Sequence, residues 1–169
     1  AVIICNIRFT QNGFLTSALF LGGLAYWNRA PFLAGILIGL LTIKPQLGVL
    51  IPLALLIDRN WRVFLSASVT ALSLVILSAL VFGHQAWFDY IDIALPYQTR
   101  ILTELGIGDP YLSMMLSGFM GARTLGIEGA PAWIIHASFA IPGFLISVWC
   151  LLKSSTFLDR SVALVLGTF

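Results

Sequence analysis

The chain has 169 residues, of which 59% are hydrophobic and 9% are charged, and its formal net charge is +2. Because a soluble domain carries about 25% charged residues, this composition excludes an ordinary soluble protein and indicates an integral membrane protein. The small net charge, without basic clusters among aromatic residues, argues against a nucleic-acid partner. We therefore expect the chain to lie in a lipid bilayer.

In chain order, apolar runs alternate with polar loops, which predicts an all-α, polytopic membrane fold. The predicted helices cover residues 13–27, 33–43, 46–57, 63–82, 87–95, 111–125, 132–152 and 161–169. The first ends in Tyr26 and Trp27, an aromatic anchor typical of membrane interfaces. The helix 87–95 is amphipathic and should lie along the interface within an external loop, whereas 111–125 should be re-entrant or on the surface. Both chain ends cut an apolar run, so we expect an internal fragment of one longer membrane domain.

One apolar run, Ala34–Ile57, contains a single charge, Lys44, which is followed directly by Pro45. Proline lacks a backbone donor and disfavours helical geometry at the residue before it, so the helix should break at Lys44. A buried ammonium normally faces protein, water or an anion, and irregular backbone at membrane depth lines a cavity. The sequence therefore predicts a polar pocket at Lys44. The alternative is a kinked helix whose lysine reaches the surface.

The arginines around this run decide its topology. Arg29 precedes the run, whereas Arg59 and Arg62 follow it. Positively charged residues favour the cytoplasmic side of a membrane. A single helix over 33–57 would be about 37 Å long, whereas each half of a broken pair would reach only about 18 Å. We favour the re-entrant pair, which places all three arginines in the cytoplasm and Lys44 at an apex towards the outer face. A single tilted, broken span remains the alternative.

Small residues are expected to serve packing. Cys5 and Cys150 lie in unrelated apolar contexts, so neither a disulfide nor a metal site is predicted. Gly35 and Gly39 form a GxxxG step, which permits close contact between helices inside the protein.

Three stretches resemble glycosyltransferase family 87. They are QNG (Gln11–Gly13) at the start of an apolar helix, AGILIGLLTIKPQLGVLIPLALLIDRNWR from Ala34, and FGHQAW (Phe82–Trp87). The family belongs to the GT-C class of polytopic membrane glycosyltransferases and includes polyprenol-phosphate-mannose-dependent α-mannosyltransferases of the bacterial envelope. The resemblance extends from about Gln11 to Leu125 and is densest over 33–62.

The resemblance implies an enzyme that transfers a sugar with inversion at the anomeric carbon. The sugar expected from the family is mannose. The donor would be a polyprenyl-phosphate-linked sugar, and the acceptor an envelope glycan or glycolipid. The implied location is the bacterial inner (plasma) membrane, with the site facing the periplasm or exterior. GT-C enzymes carry a catalytic carboxylate in their first external loop, which would lie upstream of residue 1. This fragment is therefore expected to lack it, and no cofactor is expected.

Three residues are candidates for binding the donor phosphate. Lys44 could neutralise the phosphate, because a fixed cation stabilises the charge that develops on the leaving group. The alternative is a structural lysine paired with a carboxylate elsewhere in the protein. Gln46 could hydrogen-bond the phosphate or the sugar, or instead satisfy backbone groups freed by Pro45. Arg123 could hold phosphate through two parallel hydrogen bonds, or lie at the membrane interface.

Five residues are candidates for binding sugar or acceptor. Gln11 and Asn12 offer amide groups at a helix start, although Asn12 is equally suited to cap that helix. Tyr97, Gln98 and Arg100 follow Pro96 in the external loop and could contact acceptor sugars.

The remaining polar residues carry weaker signals. Asp89 and Asp92 are read as the solvated face of the interfacial helix, and His84 and His136 as packing or capping residues. No histidine pair has metal-ligand spacing, so no metal is predicted.

Two other functions remain open. A secondary transporter also uses broken helices with a charge at the membrane midplane, but the internal repeat that goes with it is not seen here. The second alternative function is that of a non-catalytic membrane scaffold.

Overall fold

In the computed structural model, residues 12–104 and 117–168 are described, and every regular element within them is helical. In chain order these are α1 Gly13–Tyr26, α2 Pro31–Gly39, two 3-10 turns at Leu40–Ile43 and Pro45–Gly48, α3 Ile51–Ile57, α4 Trp61–Phe82, α5 Gln85–Asp89, a π-helical turn Tyr90–Ala94, α6 Leu95–Glu104, α7 Gly118–Thr124, α8 Ala130–Lys153 and α9 Phe157–Thr168.

The chain divides into two compact units. The first comprises Ala1–Ser78 with Ile146–Phe169, and the second Ala79–Leu145.

The apolar run around Lys44 is broken in the first unit. Helix α2 gives way to the turn Leu40–Ile43, and Lys44 then adopts a non-helical conformation with φ −136° and ψ 76°. The cause is local, because proline disfavours helical geometry at the residue before it. The Lys44 amide donates to the Leu41 carbonyl at 2.8 Å, and the Lys44 carbonyl accepts from Leu47 at 3.0 Å, so its backbone remains hydrogen-bonded.

The two ends of this broken segment lie side by side. The Asn60 side-chain amide, just after α3, donates to the carbonyl of Trp27, just before α2, at 3.2 Å. The Ser66 hydroxyl of α4 also donates to the Phe32 carbonyl of α2, at 2.8 Å. A single span over 33–57 would hold these ends about 37 Å apart. The segment is thus a hairpin, with its apex at Lys44 and its base at Trp27 and Asn60.

Glycines bring the helices of the first unit close together. A Cβ on Gly35 would lie 2.7 Å from the Val63 carbonyl oxygen, and one on Gly39 would lie 2.7 Å from that of Ala67. Helix α2 therefore packs in parallel against α4 through the GxxxG step, with almost no side chain between the two backbones. The step serves internal packing, as its position in the sequence predicted.

The core of the first unit includes one of the two aromatic residues predicted as an interfacial anchor. Trp27 is 1% exposed, and Phe157 of α9 packs on it with ring centroids 6.0 Å apart. Tyr26, at 43% exposure, is left as the exposed aromatic residue at the end of α1. Trp27 is buried because α9 returns from far along the chain to cover it.

The second unit contains a longer helical stretch than the sequence indicated. Helices α5 and α6 and the π-turn between them run from Gln85 to Glu104, whereas the sequence predicted a helix over 87–95 followed by loop. Pro96 is compatible with this because it lies in the first turn of α6, where a missing amide costs little. Helix α7 falls within the predicted 111–125, whose first residues lie outside the described part. A small core includes Phe119, Met120, Ala122 and Ala132.

Among the described residues, two helices are long and apolar enough to cross a membrane. They are α4, with 22 residues, and α8, with 24, and only 11% and 6% of their most apolar windows are buried inside the structure. Their exposed side chains are large and apolar, for example Leu80 at 78% and Phe139 at 70% exposure.

Adding a methyl group at Gly39 tests the α2–α4 contact. Gly39→Ala places a Cβ 2.5 Å from Thr70 Cβ and 2.7 Å from a backbone oxygen, so we expect it to lower the free energy of unfolding by about 1–3 kcal/mol. Denaturant titration in detergent micelles would measure this change. The matched control is Gly121→Ala, whose Cβ meets nothing within 4 Å. It should leave stability unchanged or raise it by about 0.5–1 kcal/mol. Equal stability of the two variants would contradict the packing described.

Candidate functional site

Lys44 lies at the hairpin apex with its ammonium unpaired. The residue is half-buried. Within residues 12–104 and 117–168 the ammonium has neither a carboxylate partner nor a hydrogen-bond acceptor. An ammonium without a partner is available to bind an anion.

A cavity of about 260 Å³ lies beside the break, between the hairpin and α4. Its lining includes Ile38, Leu41, Ile51, Leu55 and Phe64. Thr42 and Gly48, on either side of Lys44 in the chain, also line it, but Lys44 itself does not. The Thr42 hydroxyl is engaged with the Gly39 carbonyl at 2.5 Å. The cavity at the break is thus mostly apolar, and residues on either side of Lys44 in the chain belong to its lining.

The α4 wall of this cavity was not identified from the sequence. Phe64, Ala67, Ser68 and Ala71 all line it and recur at the three- and four-residue spacing of one helix face. Small residues at that spacing on an otherwise bulky helix are the signal that could have indicated it.

Two of the predicted polar residues accompany Lys44 in the first unit. Gln46 is exposed and lies in the 3-10 turn that follows Lys44. Asn12 is exposed at the start of α1, a helix that contacts the apical turn Leu40–Ile43. Asn12 occupies the N-cap position, but its side chain makes no capping hydrogen bond. Its amide therefore has no capping role in this structure. Gln11 lies outside the described residues.

Three further candidates belong to the second unit. Tyr97, Gln98 and Arg100 lie on α6, not on a loop, and all three are exposed. Tyr97 and Arg100 are three residues apart, which places them on one side of the helix. The first unit holds Lys44, Gln46 and Asn12, so the predicted residues fall into two groups.

Arg123, also in the second unit, has a structural contact. The side chain is 3% exposed, and its Nη1 donates to the Leu102 carbonyl at 2.6 Å. Its Nη2 lies 4.0 Å from a carboxylate oxygen of the exposed Glu128. The guanidinium thus connects α7 to the end of α6. Its predicted role in phosphate binding stays a prediction, because this contact accounts for its burial without a ligand.

The acidic residues give no sign of a catalytic or metal centre in the described part of the chain. Asp89 accepts a hydrogen bond from the Gln85 side chain at 3.1 Å on the exposed surface of α5. Asp92 is exposed on the π-turn. No group of three or more His, Cys, Asp or Glu side chains that could hold a metal occurs among the described residues.

The comparison with known proteins assigns the family. The model of glycosyltransferase family 87 matches residues 2–169, which is nearly the whole chain. The chain belongs to glycosyltransferase family 87. This family 87 chain is accordingly a glycosyltransferase, an enzyme that transfers a sugar from a donor to an acceptor. No curated protein and no solved structure matches it.

The structural contact of Arg123 can be tested in this family 87 protein. Arg123→Met leaves the Leu102 carbonyl without its donor, which should lower the free energy of unfolding by about 1–3 kcal/mol. The control Arg100→Gln removes an exposed guanidinium from α6 and should change stability by less than about 0.5 kcal/mol. Thermal unfolding of the purified proteins measures both. A stable Arg123→Met variant with impaired sugar transfer would instead assign Arg123 to substrate binding.

Proposed function

We propose that this glycosyltransferase uses a polyprenyl-phosphate-linked sugar and binds the donor phosphate at Lys44. The observation that carries the proposal is Lys44 at the proline-broken apex, a half-buried residue whose ammonium has no partner among the described residues. Residues on either side of it in the chain line an apolar cavity. A lipid-linked phosphate has the two chemical parts that this arrangement suits, an anion and a hydrocarbon chain.

The reaction places negative charge where Lys44 would act. An acceptor hydroxyl oxygen forms a bond to the anomeric carbon as the bond from that carbon to the phosphate oxygen breaks. The bonding electron pair leaves with the phosphate, and the hydroxyl proton passes to a general base. A fixed ammonium stabilises the departing phosphate most strongly in a site of low dielectric. The resemblance implies a carboxylate upstream of residue 1 as the base.

The other predicted residues extend this proposal to the substrates. Gln46, beside Lys44, would hydrogen-bond the phosphate or the sugar, and Asn12 would contribute from the same unit. Tyr97, Gln98 and Arg100 form an exposed polar surface on α6 that would contact the acceptor, a glycan or glycolipid. Mannose is the sugar that the family resemblance suggests.

The apolar cavity suggests where the donor's hydrocarbon chain would lie. Its walls come from α2, the apical turns, α3 and α4, and their side chains are mainly aliphatic. Because burial of each CH₂ group contributes about 0.8 kcal/mol, even the first isoprene units of a carrier would gain substantial binding energy there. Thr42 and Gly48 would lie near the junction between this chain and the phosphate.

A membrane location follows from the same geometry. At 1.5 Å per residue, α4 is about 33 Å long, which matches a hydrocarbon core of about 30 Å. Arg29, Arg59 and Arg62 lie at or near the hairpin base, so the preference of positive charge for the cytoplasm places Lys44 in the outer half. We propose the inner membrane of a bacterium, with the reaction on its outer side.

Replacing Lys44 is the direct test of donor binding. Lys44→Ala should lower the rate of sugar transfer from a polyprenyl-phosphate sugar by at least about tenfold, because the leaving phosphate loses its counter-charge. Lys44→Arg should retain more activity. Transfer is measured with the intact protein in liposomes, with Lys153→Ala, an exposed lysine, as the control. Unchanged transfer by Lys44→Ala would remove Lys44 from the donor site. Loss of transmembrane substrate uptake instead of transfer would favour a transporter.

Filling the apolar cavity tests the position of the carrier chain. Ala71→Phe introduces a ring into the cavity wall, and we expect it to raise KM for a long-chain donor while affecting a short-chain analogue much less. The neighbouring Leu72→Phe is the control, because Leu72 is 61% exposed and does not line the cavity. If long and short donors lose activity equally, the carrier chain does not occupy this cavity.

A further inference from the structure

A second cavity, of about 500 Å³, lies at the base of the hairpin, at the opposite end from Lys44. We call it the basal pocket; its lining includes Trp27, Asn28, Arg59, Asn60, Trp61 and Arg62. Unlike the apical cavity, this one is bordered by cations, amides and aromatic rings. The donor site proposed above does not use it.

The basal pocket has an excess of positive charge. Arg59 and Arg62 are exposed, and within the described part of the chain neither forms an ion pair. The one acidic residue in the lining, Asp58, is already paired with Arg160 of α9. Arg160 also donates to the Ser154 carbonyl at 3.1 Å, which holds it in place beside Asp58. The two free arginines therefore dominate the charge at the pocket.

Two helix N-termini add to this positive potential. Helix α2 begins at Pro31 and α4 begins at Trp61, and both residues line the pocket. The N-terminus of a helix carries a partial positive charge, which favours an anion. Few amide donors remain here, because Pro31 has no N–H and Asn60 Oδ1 accepts from the Val63 amide. Parallel packing of α2 and α4 brings both termini to the same end of the unit.

A buried donor without a partner lies in the same lining. Trp27 is 1% exposed, and its indole Nε1 has no hydrogen-bond acceptor among the described residues. Leaving a buried N–H unpaired costs about 1–3 kcal/mol, so such groups call for an explanation. Trp27 thus adds an unpartnered donor to the residues that border the pocket.

We propose that the basal pocket binds the phosphate of an anionic phospholipid headgroup. Arg59 and Arg62 neutralise the phosphate, and the Asn28 and Asn60 side chains border it. A membrane lipid fits better than a soluble anion because exposed apolar side chains adjoin the pocket. Trp61 is 54% exposed, and Phe32, next to Pro31, is 66% exposed, so both are available to acyl chains. The site would hold a structural lipid in the leaflet opposite the donor.

Binding of defined lipids to the intact, detergent-solubilised protein tests this proposal. Native mass spectrometry compares phosphatidylglycerol with phosphatidylcholine of the same acyl chains, and with inorganic phosphate alone. We expect phosphatidylglycerol to bind most tightly. Loss of each arginine should weaken its binding about fivefold, so that a double variant loses about 25-fold.

The double variant is Arg59→Asn with Arg62→Gln. Arg59 has φ +50°, and asparagine tolerates this backbone conformation better than most residues, so the turn should be kept. If the double variant does not fold, Arg62→Gln alone tests the proposal, because it replaces an exposed side chain. Lys153→Gln, which removes an exposed cation of the first unit that does not line the pocket, is the matched control and should bind lipid as the unchanged protein does.

Three results would overturn the proposal. The first is equal binding of phosphatidylglycerol and phosphatidylcholine, and the second is undiminished phosphatidylglycerol binding by the arginine variants. The third is inorganic phosphate binding as tightly as phosphatidylglycerol, which would identify a site for soluble phosphate. Failure of this proposal is distinguishable from failure of the donor site, because lipid binding is measured without sugar transfer.

Discussion

The first unit depends on one hydrogen bond that closes the hairpin at its base. The Asn60 side chain donates to the Trp27 carbonyl at 3.2 Å, and its Oδ1 accepts from the Val63 amide at 3.4 Å. One side chain thus fixes the end of α1 and caps the start of α4. Because both ends of the segment are held together, the break at Lys44 becomes an apex, and polar groups collect at the two ends of the hairpin.

This arrangement separates two kinds of charge. Lys44 lies alone at the apex, beside walls that are largely aliphatic, whereas Arg59 and Arg62 lie at the base among amides and aromatic rings. In a bilayer the two ends would meet different leaflets. The apical cation would serve the reaction of this family 87 glycosyltransferase, and the basal cations would serve attachment to the opposite leaflet.

The sequence was sufficient to predict those structural features that neighbouring residues in the chain determine. The break at Lys44 follows from Pro45 alone, and the structure has it at that residue. The Gly35–Gly39 step indicated a close helix contact but not its partner, because a small surface does not specify which helix covers it. The helical continuation through Pro96 was missed because the polar residues of this region were assigned to an external loop.

Contacts between distant residues could not be predicted. Trp27 is buried because Phe157 packs on it, and Arg123 is buried against the Leu102 carbonyl of another helix. The pairing of Asp58 with Arg160 likewise joins residues far apart in the chain. Each depends on how helices pack in space, which composition and periodicity do not encode. The apolar cavity depends on such packing and was not predicted, whereas the site at Lys44 stays a prediction.

The hairpin is tested most directly by the side of the membrane that its two ends reach. Single cysteines are introduced as Arg29→Cys or Arg62→Cys, both exposed positions, after Cys5 and Cys150 are replaced by alanine. Sealed vesicles of known orientation are then treated with a membrane-impermeant maleimide. The hairpin predicts that both positions react from the same side, which we expect to be the cytoplasmic one. Reaction from opposite sides would show that the segment crosses the bilayer once and would contradict the hairpin.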